Sequence, residues 1–167
     1  MSEHDILAWI KGTWLGVATR DVPWLFPTFE TLHFIGLCIL LGGMLIVDLR
    51  LLGRFRDVAP SSILKFSHIA AGGLAINLVS GIGFFTADPF NYWSNPAFQI
   101  KILLLLLAFA NIAWFELVAR KRILALPVGD DTPLGTKLSG AVSLALWFTI
   151  LIIGRLLPDW EGVGGFI

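Results

Sequence analysis

Five ionisable side chains stand where the surrounding sequence is almost wholly apolar: His33, Asp48, His68, Lys101 and Glu116. A titratable group held at membrane depth is costly, so each marks a function by default and calls for a partner. Neutral imidazole binds iron, and lysine or arginine pairs with propionate carboxylates. A histidine among cations, His33 with Lys101, Arg155 and the nearby Glu30, therefore suits a haem. Asp48, His68 and Glu116 form a second set, since two carboxylates and an imidazole suit Fe, Mn or Zn. The same three could relay protons, or make a buried ion-pair network with Arg50 or Arg120. Plainer readings compete throughout: a wet interfacial histidine beside a snorkelling lysine, and a charge network that fixes helix register.

Apolar helices must carry these groups. The chain has 167 residues, is 56% hydrophobic and only 14% charged, and has a mean hydropathy of +0.81. A soluble domain averages about 25% charged residues, so the composition is that of an all-α integral membrane protein. Residues 30–53, 62–85, 98–118 and 138–157 read as four spans, each near the roughly 20 residues a bilayer needs. They predict a four-helix transmembrane bundle within one membrane domain, 1–167. Residues 1–22 carry Ile6, Ile10, Trp14 and Val17 at helical spacing, which predicts an amphipathic helix on the membrane surface or against the bundle end. Pro23 and Pro27 are expected to break the chain before the first span. No basic start with a continuous apolar core opens the sequence, so no cleavable signal is expected.

Several classes fall away. Net charge is +0, with no basic stripe for nucleic acid. No glycine-rich phosphate loop is present, and no nucleophile has a base at helical spacing. Cys38 is the single cysteine, so no intrachain disulfide can form. The residues alone do not decide whether the chain is an enzyme.

Basic residues cluster after the first span (Arg50, Arg54, Arg56, Lys65) and after the third (Arg120, Lys121, Arg122, Lys137). The positive-inside rule makes both loops cytoplasmic and both termini periplasmic, with Trp24, Trp93 and Trp160 in an outer aromatic belt. His33 and Asp48 are fifteen residues apart, as are Lys101 and Glu116. That is about 22 Å of helix, with the side chain returning within about 60° of the same face. His33 and Lys101 should then share an outer level, and Asp48, His68 and Glu116 an inner one. Gly36 and Gly43 lie on the half of the first helix that carries His33 and would leave room for a flat macrocycle. Phe26-Pro27-Thr28-Phe29 and Asn95-Pro96-Ala97-Phe98 form a weak internal repeat ahead of spans one and three.

The stretch Phe26-Pro27-Thr28-Phe29-Glu30-Thr31-Leu32-His33-Phe34-Ile35-Gly36, continuing to Asp48-Leu49-Arg50-Leu51-Leu52-Gly53, resembles an uncharacterised bacterial family of short four-span membrane proteins. The likeness runs through Asn95-Pro96-Ala97-Phe98 and Lys101 to Asn111. More distantly, Leu32-His33-Phe34-Ile35 and Lys101-Ile102-Leu103 resemble the four-helix bacterial protoporphyrinogen oxidase and the copper-resistance D membrane domain. That resemblance implies haem b, with the oxidase family's histidine and lysine falling on His33 and Lys101. Glu116 follows Phe115 where the oxidase pattern often has a histidine, which departs from any second ligand there. The implied function is electron transfer in the bacterial inner membrane, with quinone or other membrane or periplasmic redox subunits as partners, in an oligomer or complex. A non-redox subunit or small transporter-like bundle is the alternative.

Overall fold

A computed structural model describes residues 2–159. Its described residues are helical, without a strand: α1 (Glu3–Lys11), α2 (Trp14–Asp21), α3 (Leu25–Leu51), α4 (Pro60–Ile63), α5 (Phe66–Ala87), α6 (Pro89–Ser94), α7 (Pro96–Trp114), α8 (Arg120–Leu124) and α9 (Leu134–Leu156). Four stretches are long and apolar enough to cross a membrane: Leu25–Leu51, Pro60–Ala87, Pro96–Leu124 and Leu134–Leu156. Large apolar side chains point away from the protein along them, among them Phe34, Val79, Leu106 and Leu117.

Proline starts these helices more often than it stops them. Pro60, Pro89 and Pro96 each open one, where the missing N–H would have no partner anyway. Pro27 corrects the sequence expectation: it sits inside the first turn of α3, where its ring is tolerated for the same reason. The repeat ahead of spans one and three places a proline in the first turn of each helix, in different registers. Asn95 caps α7 from outside the helix, whereas Phe26 already lies within α3.

The N-terminal segment is two helices, not one. Ser2 and Asp5 form a capping box on α1, and Gly12 ends it; Thr13 then caps α2. Both are fastened to the end of the bundle. Gly16 packs so closely that an added Cβ would lie 2.5 Å from the Thr86 carbonyl. Lys11 pairs with Asp88 at 3.5 Å, Trp93 Nε1 donates to Glu3 at 2.7 Å, and Arg20 donates to the Ala87 carbonyl at 3.0 Å.

The long helices pack as an open series, with α3 against both α5 and α9, and α7 against α9. No comparable interface joins α5 to α7. They meet near one end, where Phe85 stacks on Phe98 with centroids 5.4 Å apart. At the other end Val47, Leu51, Leu64, Phe115, Ala119 and Ile123 form a buried cluster. There the third long stretch widens into a π-helical turn, Phe115–Ala119, before continuing as α8.

Tyr92 of α6 rests edge-on against Phe98, with centroids 5.5 Å apart. Burial, then the negative charges of Asp88 and Glu30, push its phenol from the ordinary 10.0 up to about 12. The neutral phenol is the form the fold favours, so its contribution is full below the ordinary value and lost as pH rises through about 12. Tyr92 is the single tyrosine. Tyrosinate absorbance should therefore stay flat past pH 10 and rise only near 12. A rise centred on 10.0 would place the ring in water.

Candidate functional site

His33 lies on α3, facing α5. Its Nδ1 is 2.8 Å from Ser80 Oγ. That hydroxyl also sits 2.8 Å from the Ile76 carbonyl and 3.2 Å from the Asn77 carbonyl. The one hydroxyl proton goes either to a carbonyl or to His33 Nδ1, according to the tautomer of the ring. In the tautomer protonated at Nδ1 the ring donates to Ser80 and Nε2 keeps a lone pair. Imidazole in that form is a metal ligand whose orientation is set by the bond at its other nitrogen. Phe84 flanks the ring at 5.5 Å, and a Cβ on Gly81 would stand 3.9 Å from His33 Cε1.

Lys101 of α7 is within electrostatic reach of His33. Its stem runs past Gly154 of α9, whose missing side chain leaves Nζ 3.4 Å from where a Cβ would be. Glu30 is exposed one turn before His33. Arg155 is exposed in the last turn of α9 and is not without a partner.

Gly36 and Gly43 require a correction. A Cβ on Gly36 would meet Asn77 Nδ2 at 2.6 Å and the Gly73 carbonyl at 2.9 Å. On Gly43 it would meet Ala70 Cβ and the Phe66 carbonyl, both at 2.9 Å. The room these glycines provide is filled by α5. They bring two backbones together and leave no face for a macrocycle.

Asp48, His68 and Glu116 line one cleft of about 380 Å³, together with Asn111, Arg120, Ser139 and Ser143. Asp48 is 1% exposed, yet its Oδ2 has no hydrogen-bond partner. Ser143 of α9 interacts with the Asp48 carboxyl, but the pair falls outside hydrogen-bond geometry, and Ser143 Oγ is also unpartnered. The expected network is divided. Glu116 pairs with Arg120 at 2.6 Å one turn away, and His68 is exposed at the cleft wall. Arg50 is 0% exposed and turns to Thr132 at 3.2 Å instead of Asp48. A shared metal site at Asp48, His68 and Glu116 is corrected likewise: no three His, Cys, Asp or Glu side chains among the described residues come together as a metal would need.

Sequence reasoning missed the hydroxyls. Ser80 and Ser143 were legible only as small polar residues inside apolar runs. Asn95 was read as half of a repeat, but its amide caps α7 through Ala97 N–H at 2.8 Å and ties the Leu157 carbonyl at 3.2 Å. His4, the third histidine, packs on Phe90 at 5.1 Å. Trp24 and Trp93 are exposed near that same end, while Trp160 lies outside the described residues.

A family described as "Family of unknown function (DUF6644)" matches residues 6–160. No curated protein and no solved structure matches the chain.

Proposed function

We propose, from the premise that the chain belongs to this family of unknown function, that it is a haem b-binding membrane protein acting in electron transfer, with quinone or as the membrane subunit of a redox complex. The observation that carries the reading is His33. Its Nδ1 lies 2.8 Å from Ser80 Oγ, and the tautomer protonated there offers an Nε2 lone pair for an axial bond. Lys101, drawn alongside Gly154, is the cation at hand for a propionate. Bound there, the haem would supply one-electron exchange. The chain's own part is to hold the imidazole against Ser80 and keep a cation beside it.

Haem absorption of detergent-purified protein tests this. A Soret band is expected, lost in His33→Ala and kept in His68→Ala. The reverse pattern would move the site to the cleft, and protein made in haem-supplied cells that carries no band would end the reading. The alternative, a non-redox subunit or transporter-like bundle, is favoured by the cleft at Asp48, which needs no haem.

The setting proposed is a bacterial inner membrane, with both termini periplasmic and the basic loops cytoplasmic. Arg54, Arg56, Lys121 and Arg122 gather at the Asp48 end, opposite Trp24 and Trp93. Cysteines placed at Ala59 and Asn91 should label with an impermeant reagent from opposite sides. Labelling of both from one side would refute the topology.

A further inference from the structure

We infer that the cleft between α5 and α7 is a binding site for a neutral, lipid-borne hydroxyl compound of the hydroquinone class, seated on Asp48 and Ser143. It deepens the electron-transfer reading in one respect: that reading favours a hydroquinone over other hydroxyl donors. The site itself uses none of the groups around His33.

Shape comes first. The cleft measures about 380 Å³, the size of a small-molecule pocket. Its walls are apolar for most of their extent, with Leu40, Met44, Leu74 and Ile112. α3 and α9 form its back, and α5 and α7 flank it without an extensive interface of their own. In a bilayer that seam faces lipid, so an apolar molecule can enter sideways without crossing water.

Chemistry selects the head. Asp48 and Ser143 are 1% and 3% exposed, and each line the cleft with one atom lacking a partner. Buried polar atoms are almost always paired, so two neighbouring orphans at one cavity wall mark a missing partner. Asp48 Oδ2 accepts and Ser143 Oγ–H donates. A single hydroxyl answers both, giving its proton to the carboxylate and taking the serine's. An ammonium can donate to both atoms but accepts nothing, so the serine's own proton would still lack an acceptor. The other polar groups are already engaged: Asn111 and Ser139 bond each other in both directions at 3.1 and 3.0 Å, and Glu116 holds Arg120. His68 stands exposed at the wall.

The test is a titration of the purified full chain, in lipid nanodiscs, with decyl-hydroquinone, followed by the fluorescence of Trp147, buried in the apolar cluster that Met44, Leu74 and Ile112 also join. Saturable binding is expected, at least tenfold weaker in Asp48→Leu and weakened in Ser143→Ala. Leu74→Trp, which fills the cleft, should abolish it. Equal binding of decylbenzene would reduce the cleft to a lipid groove and overturn the proposal. So would tighter binding of decylamine, or unchanged affinity in both Asp48→Leu and Ser143→Ala. The haem reading fails separately: binding without a Soret band sinks that reading alone, and a Soret band without binding sinks this one alone.

Discussion

Gly73→Val should lower the unfolding midpoint in detergent sharply, at a cost of about 3 kcal/mol. A Cβ at Gly73 would stand 2.5 Å from the Leu40 amide nitrogen, 2.6 Å from the Gly36 carbonyl and 3.0 Å from Leu40 Cα. All three are backbone atoms, which cannot rotate away as a flexible side chain can. The change would force α3 and α5 apart where small residues let their backbones meet. Gly72 provides the control within the same turn. A Cβ there meets nothing within 4 Å, and valine removes a residue of poor helix propensity. Circular dichroism melts of the two variants should differ widely. Equal midpoints would mean that the contact between α3 and α5 does not hold the fold.

Asp48→Leu should act in the opposite direction and raise stability by about 1–3 kcal/mol, the usual cost of a buried polar group without a partner. Charges read along the sequence predict the reverse, because removing one member of a paired buried network strands the others. The structure changes the sign. Arg50 bonds Thr132 through Nη1 and leaves its Nε and Nη2 unpartnered, and Arg120 pairs with Glu116, so neither cation loses a hydrogen bond when Asp48 goes. Leucine also suits the neighbouring Leu40, Met44 and Val47. The measurement is the same melt, on ligand-free protein. A midpoint below wild type would show that Asp48 has a stabilising partner after all. A higher midpoint with weaker hydroquinone binding is the pattern of a residue kept for function at the expense of stability.

Much of the architecture was legible because lipid-facing helices advertise themselves. The four apolar stretches stand out by length alone, and their observed bounds differ from expectation mainly at the ends. Those differences have local causes. A proline in a first turn looks like a breaker in sequence but acts as a starter, as Pro27 does in α3. At the third stretch the apolar run stops near Val118, yet the helix continues through Arg120 to Leu124 because its buried face, Ala119 and Ile123, still has α3 and α4 to pack on.

The candidate site was legible by level but not by partner. Depth follows from counting residues, so Asp48, His68 and Glu116 reach one cleft as their positions require. Pairing depends on the direction in which each side chain leaves its helix. Asp48 and Arg50 are two apart and face different ways, which is why the nearest cation never reaches the carboxylate. Gly36 and Gly43 illustrate a related ambiguity. A glycine in a helix signals a close approach without saying whether a cofactor or another backbone makes it.

The π-helical turn at Phe115–Ala119 also solves a problem of angular bookkeeping. Phe115, Ala119 and Ile123 are spaced by fours, and all three are buried in one cluster. In an ordinary α-helix each step of four overshoots a full revolution by about 40°, so two steps would drift by about 80°. The wider turn takes up much of that overshoot, like the offset scale of a vernier, and brings three residues back onto one meridian. The turn thereby absorbs one residue more than ordinary winding could hold on that face. Deleting one residue between Phe115 and Ala119 would restore ordinary winding and still leave Ile123 within about 20° of Phe115, seven steps on, whereas an α-helical turn with all its residues kept would carry Ile123 about 80° away.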